Sequence, residues 1–285
     1  MAGVAVVTDS TSSLADEAAD RAGIAVISLN VVIDGRSQPE SQVNPRAVAA
    51  ALRAGKRVTT SRPSPQAFAA VYDALAAAGH DNVVSVHLST KMSGTCEAAE
   101  VAAQGASISV RVVDSGSLGM VTGFAALSGA ESARAGANPA EVAATVRARA
   151  QQSTMYFCVD NLEYLRRGGR IKAGAALIGS ALSVKPLMTI ADGEIRPYER
   201  TRTTSKALAR LQELSLTALG RAASRSAAVD IAVHHLDCRD AAERLASQLA
   251  GRVDIPGEVV ISELSPVVGS HVGPGTVGVV IAPRP

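Results

Sequence analysis

The chain has 285 residues, a formal net charge of +2 from 28 Lys and Arg against 26 Asp and Glu, and no Trp beside three Phe and four Tyr. A length of this order suits two domains better than one. Interleaved charges and scarce aromatics leave neither a basic stripe nor a stacking surface, which excludes a nucleic-acid partner.

In chain order, the aliphatic runs at 4–7, 24–33, 83–87 and 108–113 read as strands, and the Ala-rich stretches at 13–22, 45–54, 65–78, 92–103, 116–135 and 139–152 as helices. Strands alternating with helices predict a parallel sheet covered by helices. After about residue 150 the rhythm changes: a strand at 154–159, a Gly-Gly punctuated segment at 166–175, a hairpin signal at Ala191-Asp192-Gly193-Glu194, a long helix from Thr203 to Leu219, and strands near 227–234, 257–263 and 276–282. The expected fold is therefore α/β with two domains. Residues 1–152 form an N-terminal Rossmann-like parallel α/β/α sheet, and residues 153–285 a C-terminal α+β domain with a mixed sheet.

Three cysteines, Cys96, Cys158 and Cys238, form no C-x-x-C pair, which argues for reduced thiols in a cytoplasmic protein. Neither a metal nor a cofactor is expected. Val4–Val7 lacks preceding basic residues and reads as a buried strand rather than an export signal. The longest apolar run, Ala173 to Met188, is interrupted by Ser180, Ser183, Lys185 and Pro186 and is too short for a membrane span, so a soluble protein is expected.

Ser93-Gly94-Thr95 opens a helix pattern directly after a strand and a polar loop. Backbone N–H groups at such a helix start, two hydroxyls and a glycine together suit a carboxylate or phosphate. Thr8-Asp9-Ser10-Thr11 follows the first strand, at the edge where open α/β sheets place ligands, or else Asp9 and Ser10 cap the next helix. In Thr59-Thr60-Ser61-Arg62-Pro63-Ser64 the cap needs only Ser64, ahead of Pro65, leaving Thr60 and Ser61 for a ligand. Arg166, Arg167 and Arg170 surround Gly168-Gly169, where a tight turn can aim a guanidinium, and Arg202 stands just before the long helix. His271 lies in the glycine-rich stretch 269–276, which reads as a loop before the last strand; His80, His87, His234 and His235 have no such setting.

The ordered set T-D-S-T at 8–11, T-S-R-P-S at 60–64, M-S-G-T at 92–95, V-D-S at 113–115, N-L-E-Y-L-R-R-G-G-R at 161–170, K-P-L at 185–187, D-G-E-I at 192–195, R-T-x-S-K-A-L from Arg202 and H-V-G-P-G at 271–275 resembles the DegV family over nearly the whole chain. The resemblance implies a carrier rather than a catalyst. It implies one long-chain fatty acid in a buried tunnel, at the domain interface or within the C-terminal domain. The carboxylate would be presented to a fatty acid kinase, an ATP-binding partner that makes an acyl phosphate for phospholipid synthesis. Carried over by motif, Thr60, Ser61, Ser93, Gly94 and His271 would hold the carboxylate. Arg170 and Arg202 would form the carboxyl-end network or face the kinase. Loading implies a transient membrane-surface contact. The chain departs from the family pattern at Arg62, where Gln is common, and at His87 and Cys96, where a hydroxyl or aromatic residue is usual. The small-residue segment 173–182 is a candidate tunnel wall or an ordinary packed helix.

Two alternatives differ in class. A small-molecule phosphotransferase subunit like dihydroxyacetone kinase would use His271 covalently, but no G-x-x-x-x-G-K-[ST] motif is present to hold ATP. A serine hydrolase would use Ser93 or Ser115, and no G-x-S-x-G elbow occurs.

Overall fold

The computed structural model describes residues 3–171, 184–250 and 259–285. The chain parts into two compact units, residues 1–30 with 61–152 and the final Pro285, and residues 31–60 with 153–284. A single cut at 152/153 leaves out the excursion of residues 31–60 into the second unit.

In the first unit a parallel four-stranded sheet runs in the order β2 (Ile24–Ile27), β1 (Val4–Asp9), β6 (Asn82–His87), β7 (Ser109–Asp114). Strand periodicity divides β1 between two faces. Ala5 and Val7 join Phe68 and Tyr72 of α3 (Pro65–Ala77) and Ala98, Ala99 and Ala102 of α4 (Thr95–Ala103) in one buried cluster. On the opposite face α5 (Met120–Arg134) packs on α6 (Pro139–Gln152) so closely that a Cβ at Gly129 would lie 2.6 Å from Val146. Short α1 (Asp16–Ala22) follows a 3₁₀ turn at Ser10–Ser12, so the helix expected from residue 13 starts three residues later.

The strand expected over 24–33 is two strands. After β2 the Leu29 N–H donates to Ser10 Oγ at 2.9 Å, and the chain leaves the first sheet. It then builds a three-stranded sheet of β4 (Arg36–Pro39), β3 (Asn30–Ile33) and β5 (Val58–Ser61), with α2 (Pro45–Arg53) before the last of these. The loop expected at 59–64 is thus partly strand.

The second unit holds a mixed six-stranded sheet, ordered β10 (Glu194–Thr201), β9 (Lys185–Ala191), β8 (Thr154–Cys158), β13 (Val277–Pro283), β11 (Val229–His235), β12 (Val259–Glu263), in which only β11 and β12 pair in parallel. The β9–β10 turn places Asp192 and Gly193 at φ 50° and 77°, the conformation a two-residue hairpin requires. Apolar residues of α8 (Thr204–Ala223) and α9 (Arg239–Ala250) cover the sheet: Leu211, Leu219 and Leu249 are buried against Leu187, Val233 and Val279. Short α7 (Glu163–Arg167) and α10 (Pro266–Val272) also belong to this unit. The α9 helix was not expected, and α10 occupies part of the stretch that reads as a glycine loop. No described helix is long and apolar enough to cross a membrane. The candidate tunnel wall at 173–182 lies outside the described residues.

Candidate ligand site

In the second unit, Thr60 at the end of β5 and His271 in the last turn of α10 are hydrogen-bonded, Thr60 Oγ1 to His271 Nε2 at 2.9 Å. The other ring nitrogen faces Gly168: a Cβ there would lie 2.2 Å from His271 Nδ1. Two motifs far apart in sequence are thus matched by glycines, for Gly273, at φ 80°, also admits the Tyr164 ring where a Cβ would lie 2.1 Å from it. Arg170 Nη1 donates to the Gly168 carbonyl. Burial, with the Arg170 charge second, pushes the His271 imidazole down to about 4, so it is neutral at pH 7. It can therefore donate one hydrogen bond and accept one. Glu40, buried in the 3₁₀ turn before α2, accepts from the Val267 N–H at 2.8 Å and anchors the start of α10. This carboxylate escaped the sequence reading, which had no reason to pair residues 227 positions apart.

Arg202 lies exposed between β10 and α8, where the Thr203 side chain accepts from the Lys206 N–H and caps the helix. Arg166 and Arg167 are held by Glu163, at 3.0 and 2.6 Å, on the exposed face of α7. The Arg170 charge, by contrast, acts on His271 and adds to the effect of burial on its imidazole.

In the first unit, Ser93 Oγ is 2.8 Å from Thr95 Oγ1, and α4 has Gly94 at its N-cap and no side-chain cap on its first amides. The Ser93 N–H is itself committed to the Ser89 carbonyl at 3.1 Å. Arg62 lies across this helix start, donating to the Gly94 carbonyl at 3.0 Å and to Glu97 at 2.9 Å. A Cβ at Gly94 would come within 2.0 Å of Arg62 Nη1, so the glycine makes room for the guanidinium. Glu97 offsets its charge, and the helix start is less basic than Arg62 alone suggests. Ser61 is exposed at the end of β5, and Ser64 caps α3 through the Ala67 N–H at 3.2 Å.

Beneath this loop is a buried chain of hydrogen bonds of which the sequence marked Asp9, as a candidate edge residue, and His87, as a departure from the family pattern. Tyr72 donates to Ser85 Oγ at 3.0 Å, Ser85 Oγ meets His87 Nε2 at 2.7 Å, and His87 Nδ1 meets Asp9 Oδ2 at 3.0 Å. Asp9 also accepts from the Leu88 and Thr11 N–H groups, each at 3.0 Å, so it caps the 3₁₀ turn at Ser10–Ser12 and not the helix α1 it was expected to cap, which starts after Ala15 with no side-chain cap. The contacts follow the order of a serine nucleophile, its base and an orienting acid. All four side chains have 0% exposure, however, and Ser85 already accepts from Tyr72, so the network ties β1, β6 and α3 together and is closed to a substrate. Neither serine of the hydrolase alternative contacts a histidine: Ser93 is bonded to Thr95, and Ser115 to Thr122 and the Ser117 carbonyl.

The family model described as "uncharacterised protein, DegV family" matches residues 3–284. The chain belongs to the DegV family. Among its DegV relatives, a DegV domain-containing protein of Streptomyces coelicolor is 47% identical over 282 residues, covering 99% of each chain. One from Mycobacterium tuberculosis is 35% identical, covering 98% of this chain and 96% of the relative. Two solved DegV structures share the fold. A DegV family protein from Thermus thermophilus, described for its fatty acid binding, superposes with a TM-score of 0.89 at 32% identity over 99% of both chains. DegV of Bacillus subtilis, described as a fatty acid binding protein, gives 0.90 at 30% identity over 100% of both.

Proposed function

We propose that this protein binds a single long-chain fatty acid in a buried tunnel and presents its carboxylate to a partner fatty acid kinase. The observation that carries the reading is the Thr60–His271 pair against Gly168, a hydroxyl and a neutral imidazole beside the Arg170 guanidinium. A carboxylate withdrawn from water must be hydrogen-bonded; the hydroxyl and the neutral imidazole supply neutral donors, and the guanidinium a charged one. The solved DegV relatives described as fatty acid binding support the ligand class.

The proposal keeps Ser93, Gly94 and Ser61 as further donors to the carboxylate, and Arg202 as a cation that meets the kinase. Burial of methylenes contributes about 0.8 kcal/mol each, so an acyl chain of palmitate length supplies on the order of 10 kcal/mol before ordering costs. The head group then decides orientation more than affinity. Because no ATP-binding loop motif occurs in the chain, the phosphoryl donor is assigned to the partner. Loading from a bilayer makes a transient contact with a membrane surface part of the same reading.

The test is mass spectrometry of an organic extract of freshly purified protein, with the native intact mass recorded beside it. One long-chain fatty acid per chain supports the carrier reading. A protein that is empty and also refuses palmitate and oleate overturns it. A covalent dihydroxyacetone adduct on His271 would instead favour the phosphotransferase alternative. The kinase step is read separately, by ATP-dependent acyl phosphate trapped as a hydroxamate.

A further inference from the structure

A cleft of about 360 Å³ opens in the second unit, lined by Arg46, His235, Asp237, Arg239, Arg244 and Glu263 among others. It lies at the carboxyl ends of the parallel strands β11 and β12, which end in His235 and Glu263 and are joined through α9. Parallel βαβ units place ligands at this edge. All three elements lie apart from Thr60, His271 and Arg170 in sequence, and none enters the fatty-acid proposal.

The floor of the cleft is chemically unfinished. His235 is 3% exposed, and among the described residues neither of its ring nitrogens has a hydrogen-bond partner. Glu263 Oε1 is buried and likewise without one. Buried polar atoms are nearly always paired in native proteins, so three unpaired atoms on one floor point to a ligand that pairs them. Burial holds the imidazole in its neutral form despite the nearby Glu263 and Glu243 carboxylates, with Arg239 and Arg46 acting in the same sense as burial. The ring therefore asks for one donor and one acceptor, and Glu263 for a further donor. A hydroxylated ligand meets all three demands.

The rim adds an anion requirement. Asp237 is engaged by Arg53, and Arg239 by Glu243 at 2.7 Å, but no hydrogen bond or ion pair engages the Arg46 or Arg244 side chain among the described residues. The amino end of the 12-residue α9 opens on the same cleft through Arg239 and Asp240. Two guanidiniums and helix amides suit a three-oxygen phosphate. Asp240 and Glu263 disfavour a bare anion, which would bring no donors to them. Among the described residues no group of His, Cys, Asp and Glu is arranged to hold a metal ion. We propose that this cleft binds a small phosphorylated polyol, with the phosphate on Arg46 and Arg244 and the hydroxyls on His235 and Glu263.

The experiment is calorimetric titration of the full chain with glucose 6-phosphate and ribose 5-phosphate, beside inorganic phosphate and unphosphorylated glucose. It is repeated on the Arg46→Ala/Arg244→Ala variant and on His235→Gln. Both arginines are exposed, so the double variant keeps its fold, checked by its melting temperature. The expected result is one saturable site for a sugar phosphate, at least tenfold tighter than for inorganic phosphate. That affinity should fall at least tenfold in the double variant, and His235→Gln should weaken the ester but not inorganic phosphate. Failure of both esters to saturate, equal binding by the double variant, or inorganic phosphate binding as tightly as the esters would each overturn the proposal. Bound fatty acid measured in the same samples stays unchanged in the double variant, so this outcome and that of the carrier reading are read independently.

Discussion

Gly168 decides how the His271 ring is held. A methyl group there would lie 2.2 Å from Nδ1 and 3.0 Å from Cε1 of the ring, and 3.2 Å from the Tyr164 carbonyl, so the ring cannot retain its place and the backbone turn is crowded as well. Gly168→Ala is expected to lower fatty-acid affinity at least tenfold while the protein still folds, measured by titration with a fluorescent acyl probe beside a melting curve. Ser93→Ala should weaken binding by about 1–3 kcal/mol, the cost of leaving a buried carboxylate oxygen short of a donor. Unchanged affinity would remove Ser93 from the site. Arg202→Ala, at an exposed position, should leave fatty-acid binding intact and slow acyl-phosphate formation by the kinase; equal rates would remove it from the docking surface.

At the scale of elements, Asp9 joins the ends of β1 and β6 through four groups: the Thr11 N–H and hydroxyl, the Leu88 N–H and the His87 ring. Asp9→Ala strands these donors in a site with no water access, and a loss of about 3–5 kcal/mol is expected in urea unfolding. Asp9→Asn, which keeps an acceptor and the shape, should lose less. The aliphatic runs and the Asp192-Gly193 turn made most strands, and the first unit's helices, legible in the sequence, because period-2 and period-3.6 burial leaves a direct mark. Two kinds of element left none. The strand at 58–61 reads as a polar loop, since its pairing with β3 is set by a sheet assembled elsewhere. The turn of helix carrying His271 is hidden by its glycines, and its start is fixed by Ser265, Pro266 and the distant Glu40. Of the candidate site, the hydroxyl and glycine motifs were legible. The roles of Gly168, Glu40 and Ser85 were not, because each depends on a contact made across the fold.

For the whole molecule, buried histidines set the acid limit. His234 and His271 are both pushed down to about 4 by burial, from 6.5 in the unfolded chain. Between those values the unfolded state binds more protons, so stability is complete above pH 6.5 and falls as pH drops toward 4. His234, with 0% exposure, contributes up to about 3 kcal/mol to that loss and the partly buried His271 less. Urea midpoints from pH 7.5 to 4 should decline over this window, and His271→Gln should flatten part of the decline. The thiols follow the same logic of burial: Cys158 and Cys238 are both raised to about 11, so reaction with a disulfide reagent at pH 8 should be slow until the protein unfolds.

The excursion of residues 31–60 into the second unit also sets an order of events at the ribosome. Glu40 and Thr60 are synthesised early, yet their partners Val267 and His271 follow 227 and 211 residues later. The first unit has all of its own strands and helices by Gln152 and can close while synthesis continues, with the small sheet of the 31–60 segment waiting for its partners in the second unit. Long-range pairing is slow because loop closure precedes any gain in contacts. The Thr60–His271 pair therefore forms only on a nearly finished chain, and a truncated product ending before residue 271 carries a folded first unit with no means of assembling that pair.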